Sequence, residues 1–174
     1  QSERMHSTVE RLLELSKLEQ LAAPEHQQRI EVAALFARAA ANAAAQAERV
    51  GVQLVFDESS TRIVGDAETL QLAIDNLVRN AIDFSPRRGV VRVTAHASHG
   101  ALSIDVTDQG PGFATFVQER IGERFISTVR PDGSPKGSGL GLAIARQVAL
   151  LHGGTLSVEQ ARSLTCVRLR LPGA

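Results

Sequence analysis

Asn76-Leu-Val-Arg-Asn80-Ala81 lies in a run whose Leu70, Ala73, Ile74, Leu77, Val78 and Ala81 recur at helical spacing. The two asparagines are four residues apart and therefore share one helical face. Asp66 is a good N-cap for that helix, with Glu68 in its first turn, and Pro86 ends it. Downstream, Asp108-Gln-Gly110-Pro-Gly112-Phe113 follows a β-favouring run, and Gly137-Ser-Gly139-Leu-Gly141-Leu142 opens a second helical run. Each segment alone is a weak signal, because Asn pairs and Gly-rich hexapeptides are common. Their order, at intervals of about thirty residues, is the informative feature.

Each segment suits one part of a nucleotide. Two amide oxygens on one helix face are hard ligands for Mg²⁺ that add no negative charge beside a triphosphate. A strand-end carboxylate at Asp108 can accept from the exocyclic amine of adenine. Gly110 and Gly112 permit close backbone approach to a base. Gly137, Gly139 and Gly141 lead into a helix of Leu142, Ile144, Ala145, Val148 and Leu151, whose first N–H groups are a natural phosphate cradle. A dinucleotide fingerprint fails on the third glycine spacing, and no Gly-Lys-Ser/Thr follows for a P-loop. The plain alternatives are two surface asparagines, a strand-end turn and a glycine-rich helix start.

Taken together, the three segments resemble the N, G1 and G2 boxes of the ATP-binding fold shared by sensor histidine kinases, DNA gyrase, the Hsp90 chaperone and MutL. The chain most resembles the catalytic half of a sensor histidine kinase, with Asn80-Ala-Ile-Asp83-Phe-Ser-Pro86 close to the CreC-type sensors. The resemblance implies ATP and Mg²⁺ as cofactors, Asn80 as the metal ligand, and Asp108 as the adenine contact supported by Thr165. It places Lys136, Gly137, Gly139, Leu140 and Gly141 around the phosphates. Asn76 stands where the gyrase and Hsp90 branches carry Glu. An amide cannot be a general base, which favours passing the phosphoryl group to a protein and makes Asn76 a candidate positioning residue. Residues 113 to 136 would be a flexible lid hinged on the glycines. Several positions depart from the family pattern. Gly122 replaces the first lid Phe, Asp83 and Ser127 replace basic residues, and Leu164 precedes Thr165 in place of Gly. Lys136, Arg130 or Arg124 are the candidates to supply the missing charge.

The rest of the chain fits an α+β fold, a two-layer α/β sandwich with a mixed sheet and helices on one face. Residues 3–21 carry an amphipathic stripe of Met5, Val9, Leu12, Leu15 and Leu18, broadened by Leu13 and Leu21. A lone helix of this kind wants a partner helix. The resemblance makes residues 1–21 the second helix of a dimerisation domain, 22–31 a linker and 32–174 the catalytic ATP-binding domain. The N-terminus begins with Gln inside a helical pattern, as expected of an excised fragment. Nineteen basic and nineteen acidic residues give zero formal charge, so no basic field points to nucleic acid. Cys166 is the one cysteine, which excludes an intrachain disulfide and reads as a small core residue. No apolar run reaches the roughly 18 residues that span a bilayer. The resemblance nevertheless implies a membrane-anchored bacterial sensor with this portion in the cytoplasm.

A histidine kinase needs an acceptor histidine. Met5-His6-Ser-Thr-Val9 lacks the acidic neighbour and the Pro that mark the family's acceptor box. The acceptor is therefore expected upstream of residue 1, in a parent that is a homodimer and hands its phosphate to a response-regulator aspartate. The competing readings are a nucleotide-binding regulatory module without kinase activity and an anti-sigma-factor serine kinase. The helix of residues 3–21 and Asn at position 76 argue against the second.

Overall fold

The computed structural model describes residues 1–113, 118–124 and 139–173. The chain runs α1 (Ser2–Gln20), β1 (Gln27–Glu31), α2 (Val32–Val50), β2 (Gln53–Phe56), β3 (Arg62–Asp66), α3 (Ala67–Phe84), β4 (Val90–Ser98) and β5 (Ala101–Asp108). After the lid region come α4 (Gly141–Leu151), β6 (Thr155–Ala161) and β7 (Leu164–Pro172). Most of the lid expected over 113–136, with Arg130, Lys136 and Gly137, lies outside the described residues.

Five strands form one mixed sheet in the order β2-β4-β5-β7-β6. β2 runs parallel to β4, and the remaining pairs are antiparallel. Strict alternation decides which face is covered. Val91 and Val93, then Leu102, Ile104 and Val106, then Val167, Leu169 and Leu171 all point into the core beneath α2, α3 and α4. The opposite face is polar, and on it Arg168 grips Asp105 through two bonds of 2.8 Å between β7 and β5. Cys166 belongs to this outer face and is only half-buried, contrary to the core assignment. Its neighbours Thr165 and Val167 take the inward positions, so parity sends the thiol outward.

α3 is the helix the sequence announces. Asp66 Oδ1 accepts from the N–H groups of Glu68 (3.1 Å) and Thr69 (3.2 Å), and Ser85 ends the helix before Pro86. The Asp66 N–H itself donates to His152 Nε2 at 3.0 Å, while His152 Nδ1 meets the Val148 carbonyl at 2.9 Å. His152 thus clamps the end of α4 to the start of α3. α2 ends at Gly51, whose φ of +76° is the left-handed conformation that stops a helix.

Two features differ from the sequence reading. Residues 27–31, read as the end of a linker, form β1, which pairs antiparallel with β3. Only Ile30 of that strand is buried, so no alternation advertised it. The α1 stripe is also split. Leu15 and Leu18 are buried in the same core as α4, whereas Met5, Val9 and Leu13 stay exposed. Glu19 near the end of α1 pairs with Arg124, which fastens the helix to the segment 118–124.

Candidate nucleotide site

Asp108 closes β5 directly opposite Thr165 of β7, and both are almost fully buried. The carboxylate turns the chain sharply, since its Oδ1 accepts from the Gly110 N–H at 2.8 Å. A Cβ on Gly110 would lie 2.3 Å from the Phe84 carbonyl oxygen. Gly112 has φ +79°, and a Cβ there would meet the Gln160 side-chain amide at 1.3 Å and Thr165 Oγ1 at 3.1 Å. The turn is wedged between the end of α3 and the strands β6 and β7, and only glycine fits both positions. Phe113 then folds back, its ring edge-on to Phe84 with centroids 5.4 Å apart. Leu164 is half-exposed at the start of β7, so its departure from the family's Gly leaves the buried Thr165 in place.

Asn76 and Asn80 are both buried on α3. Asn76 Nδ2 donates to the Leu72 carbonyl at 2.8 Å, and its Oδ1 lies 3.2 Å from where a Cβ of Gly141 would stand. The helix of the asparagines and the helix of the last glycine therefore meet at this pair. Gly139 has φ +71°, and Leu140 is fully buried behind it. α4 begins at Gly141, because that left-handed glycine cannot belong to a right-handed helix. Leu140 at its N-cap makes no side-chain cap bond to the first N–H groups, which leaves the polarity an anion needs. Lys136 and Gly137 lie outside the described residues.

The donor set suits magnesium carried in with phosphates. Among the described residues no group of three or more His, Cys, Asp or Glu could hold a metal. Mg²⁺ commonly takes one or two protein oxygens and completes its shell with water and phosphate. Asn80 has the donor chemistry for that demand, and Asn76 Nδ2 is bonded to the Leu72 carbonyl of its own helix.

The departures acquire physical reasons. Asp83 accepts from Gln46 Nε2 at 3.1 Å and so braces α3 against α2. Arg124 is held by Glu19. Arg11 of α1 was not a candidate from sequence, yet its charge is stabilised by Asp83. Its pKa is lowered nonetheless, first by burial and then by repulsion from Arg79. Gly122 has φ +81°, and a Cβ there would lie 2.5 Å from Arg146 Cδ on α4. A phenylalanine at this position is incompatible with so close an approach. His6 is exposed on α1 and pairs with Glu10 at 3.1 Å.

With this geometry in view, residues 65–174 match the family described as histidine kinase-, DNA gyrase B-, and HSP90-like ATPase. The chain belongs to that family. It is similar to the histidine protein kinase DivJ of Caulobacter vibrioides, 38% identical over 73% of this chain and 22% of DivJ. It is 33% identical to the sensor protein CreC of Escherichia coli over 97% of this chain and 36% of CreC. Among solved structures, full-length ShkA in complex with AMPPNP superposes with a TM-score of 0.82 at 26% identity, covering 97% of this chain and 35% of ShkA. The domain is an ATP-binding domain of the histidine kinase type, with the expected α+β sandwich. The chain spans well under half the length of these relatives. Among the described residues, no helix is long and apolar enough to cross a membrane.

Proposed function

We propose that this domain binds Mg·ATP and, in its parent protein, presents the γ-phosphate to a histidine on a dimerisation helix for relay to a response-regulator aspartate. The observation that carries the proposal is the meeting of α3 and α4 at Asn76 and Gly141, with the end of that same α3, at Phe84, abutting the turn after the buried Asp108. Adenine selectivity then resides in Asp108, which accepts from the exocyclic amine, with Gly110 and Gly112 letting the backbone approach the base. The uncapped N–H groups of α4 receive the phosphates. Asn80 holds the magnesium, whose role when bound is to neutralise phosphate charge. Asn76 aligns α3 with α4 and abstracts no proton, so water is not activated. Catalysis rests on positioning and charge neutralisation.

Residues 1–21 act as the second dimerisation helix and 22–26 as the connection, and β1 joins residues 32–174 in the catalytic domain. Met5, Val9 and Leu13, exposed by 69, 50 and 59%, form the stripe that a second copy of the chain covers in a homodimer. A membrane-anchored sensor with this portion in the cytoplasm is the parent that suits its relatives. The test joins the chain to the segment preceding it in the parent and supplies γ-labelled ATP with Mg²⁺. Acid-labile, base-stable label on an upstream histidine is expected. ATP binding without any transfer would favour the purely regulatory nucleotide-binding module.

A further inference from the structure

Gln160 sits on the edge strand β6 and played no part in the nucleotide reading above. The sheet register places it opposite Thr165, which in turn faces Asp108, so the three form one row across β6, β7 and β5. Its side-chain amide reaches over the turn that follows Asp108. With the amide oriented by its partners, the oxygen accepts from the Phe113 N–H at 2.8 Å and the nitrogen donates to the Phe113 carbonyl at 3.1 Å. A primary amide paired with both polar groups of one residue reproduces, through a side chain, the pairing of an additional strand. Gln118 Nε2 donates to the same carbonyl at 2.8 Å.

These contacts fall where the chain has least freedom. The Gln160 side-chain amide fills the place a Cβ on Gly112 would take. Phe113 is simultaneously held by its ring on Phe84, at the end of the asparagine helix. The backbone of Gly110 to Phe113 is therefore fixed by Asp108 on one side and by Gln160 on the other.

We propose that Gln160 is a positioning residue for the adenine pocket. It holds the Gly112–Phe113 backbone at the distance from Asp108 and Thr165 at which the base is read. The inference rests on the reading of Asp108 as the adenine contact. Gln160 itself touches no nucleotide atom in this scheme.

The test compares Gln160→Leu, Gln160→Glu and Asp108→Asn in the same chain. Gln160 is exposed, so leucine removes both hydrogen bonds without altering the core. Three readouts are taken: melting temperature, affinity for fluorescent ATP and GTP analogues with Mg²⁺, and hydrogen exchange at the Phe113 amide. Q160L is expected to bind ATP about tenfold more weakly and to lose part of its preference over GTP. Its Phe113 amide should exchange faster at nearly unchanged melting temperature. Q160E keeps the acceptor but not the donor, so it should fall between the two. Parent-like affinity and base preference in Q160L, with Asp108→Asn strongly impaired, would overturn the role of Gln160 alone. Parent-like binding in Asp108→Asn would instead remove the pocket reading on which it stands. A fall in melting temperature with the ATP to GTP ratio intact would make Gln160 a structural residue only.

Discussion

Asp108 and Thr165 occupy one register position across β5 and β7, both buried, with the Gly110 N–H drawn onto the carboxylate at 2.8 Å. A carboxylate in so dry a position needs donors, and the amine of adenine is one that guanine does not offer at the equivalent atom. Asp108→Asn turns an acceptor into a group that can present a donor to a donor. ATP affinity should fall by about 2 kcal/mol or more. Titration with a fluorescent ATP analogue measures it, and equal affinity in parent and variant would take Asp108 out of the site. Thr165→Val should weaken binding less, because the hydroxyl acts only beside the carboxylate.

Asn80 is buried on the helix face next to Asn76, where an amide oxygen supplies a ligand without charge. Asn80→Ala should reduce Mg²⁺-dependent ATP binding far more than binding measured in the presence of a chelator. Paired calorimetric titrations with and without Mg²⁺ provide the comparison. An identical loss under both conditions would mean that Asn80 supports the helix and not the metal.

α3 and its asparagines were legible because every local signal agreed: an Asp cap, a 3.6-residue stripe and a terminating proline. β1 was hidden because Gln27–Glu31 carries a single buried apolar residue and is a strand only through β3. The start of α4 within the glycine segment is not legible, because the sequence does not reveal that Gly139 turns left-handed. Glycine boxes announced the Asp108 turn, but its brace did not announce itself. Gln160 is a polar residue on an edge strand, and only the register brings it opposite Thr165. Arg11 was similarly invisible, since its approach to Asp83 depends on how α1 lies on the domain. Gly122 read as a loss of a lid anchor, whereas the fold shows a close approach to Arg146.

Asp66 ties three segments together and gives stability a pH dependence. Burial acts against its charged form, but the N–H groups of Thr69, His26 and Glu68 outweigh that and hold its pKa below the usual carboxylate range. A depressed carboxylate contributes fully above its unfolded pKa of about 3.9, and the contribution disappears as pH falls through the lower folded value. Asp66→Ala should cost about 1–2 kcal/mol at neutral pH through the lost cap. The difference from the parent should shrink in acid. Urea unfolding of both proteins at neutral pH and near pH 3 gives the two gaps, and a gap that stays constant would show that the charge of Asp66 is immaterial.

Incubated alone with labelled Mg·ATP, this chain should bind nucleotide yet leave its own histidines unphosphorylated. His6 is solvent-exposed, paired with Glu10, and set in Met5-His-Ser-Thr-Val9 without the acceptor context of the family. Half of the α1 stripe is already committed to the catalytic domain through Leu15 and Leu18, with Glu19 fastened to Arg124. These contacts hold α1 against the domain by its C-terminal half, while His6 lies near the other end. Added in trans to the missing helix pair of its parent, the chain should transfer label slowly. Without the covalent tether, acceptor concentration falls from roughly millimolar to whatever is supplied. Acid lability with base stability of the product would mark phosphohistidine. Strong labelling of the chain alone, abolished by His6→Ala, would place the acceptor on α1 and reverse the assignment of that helix.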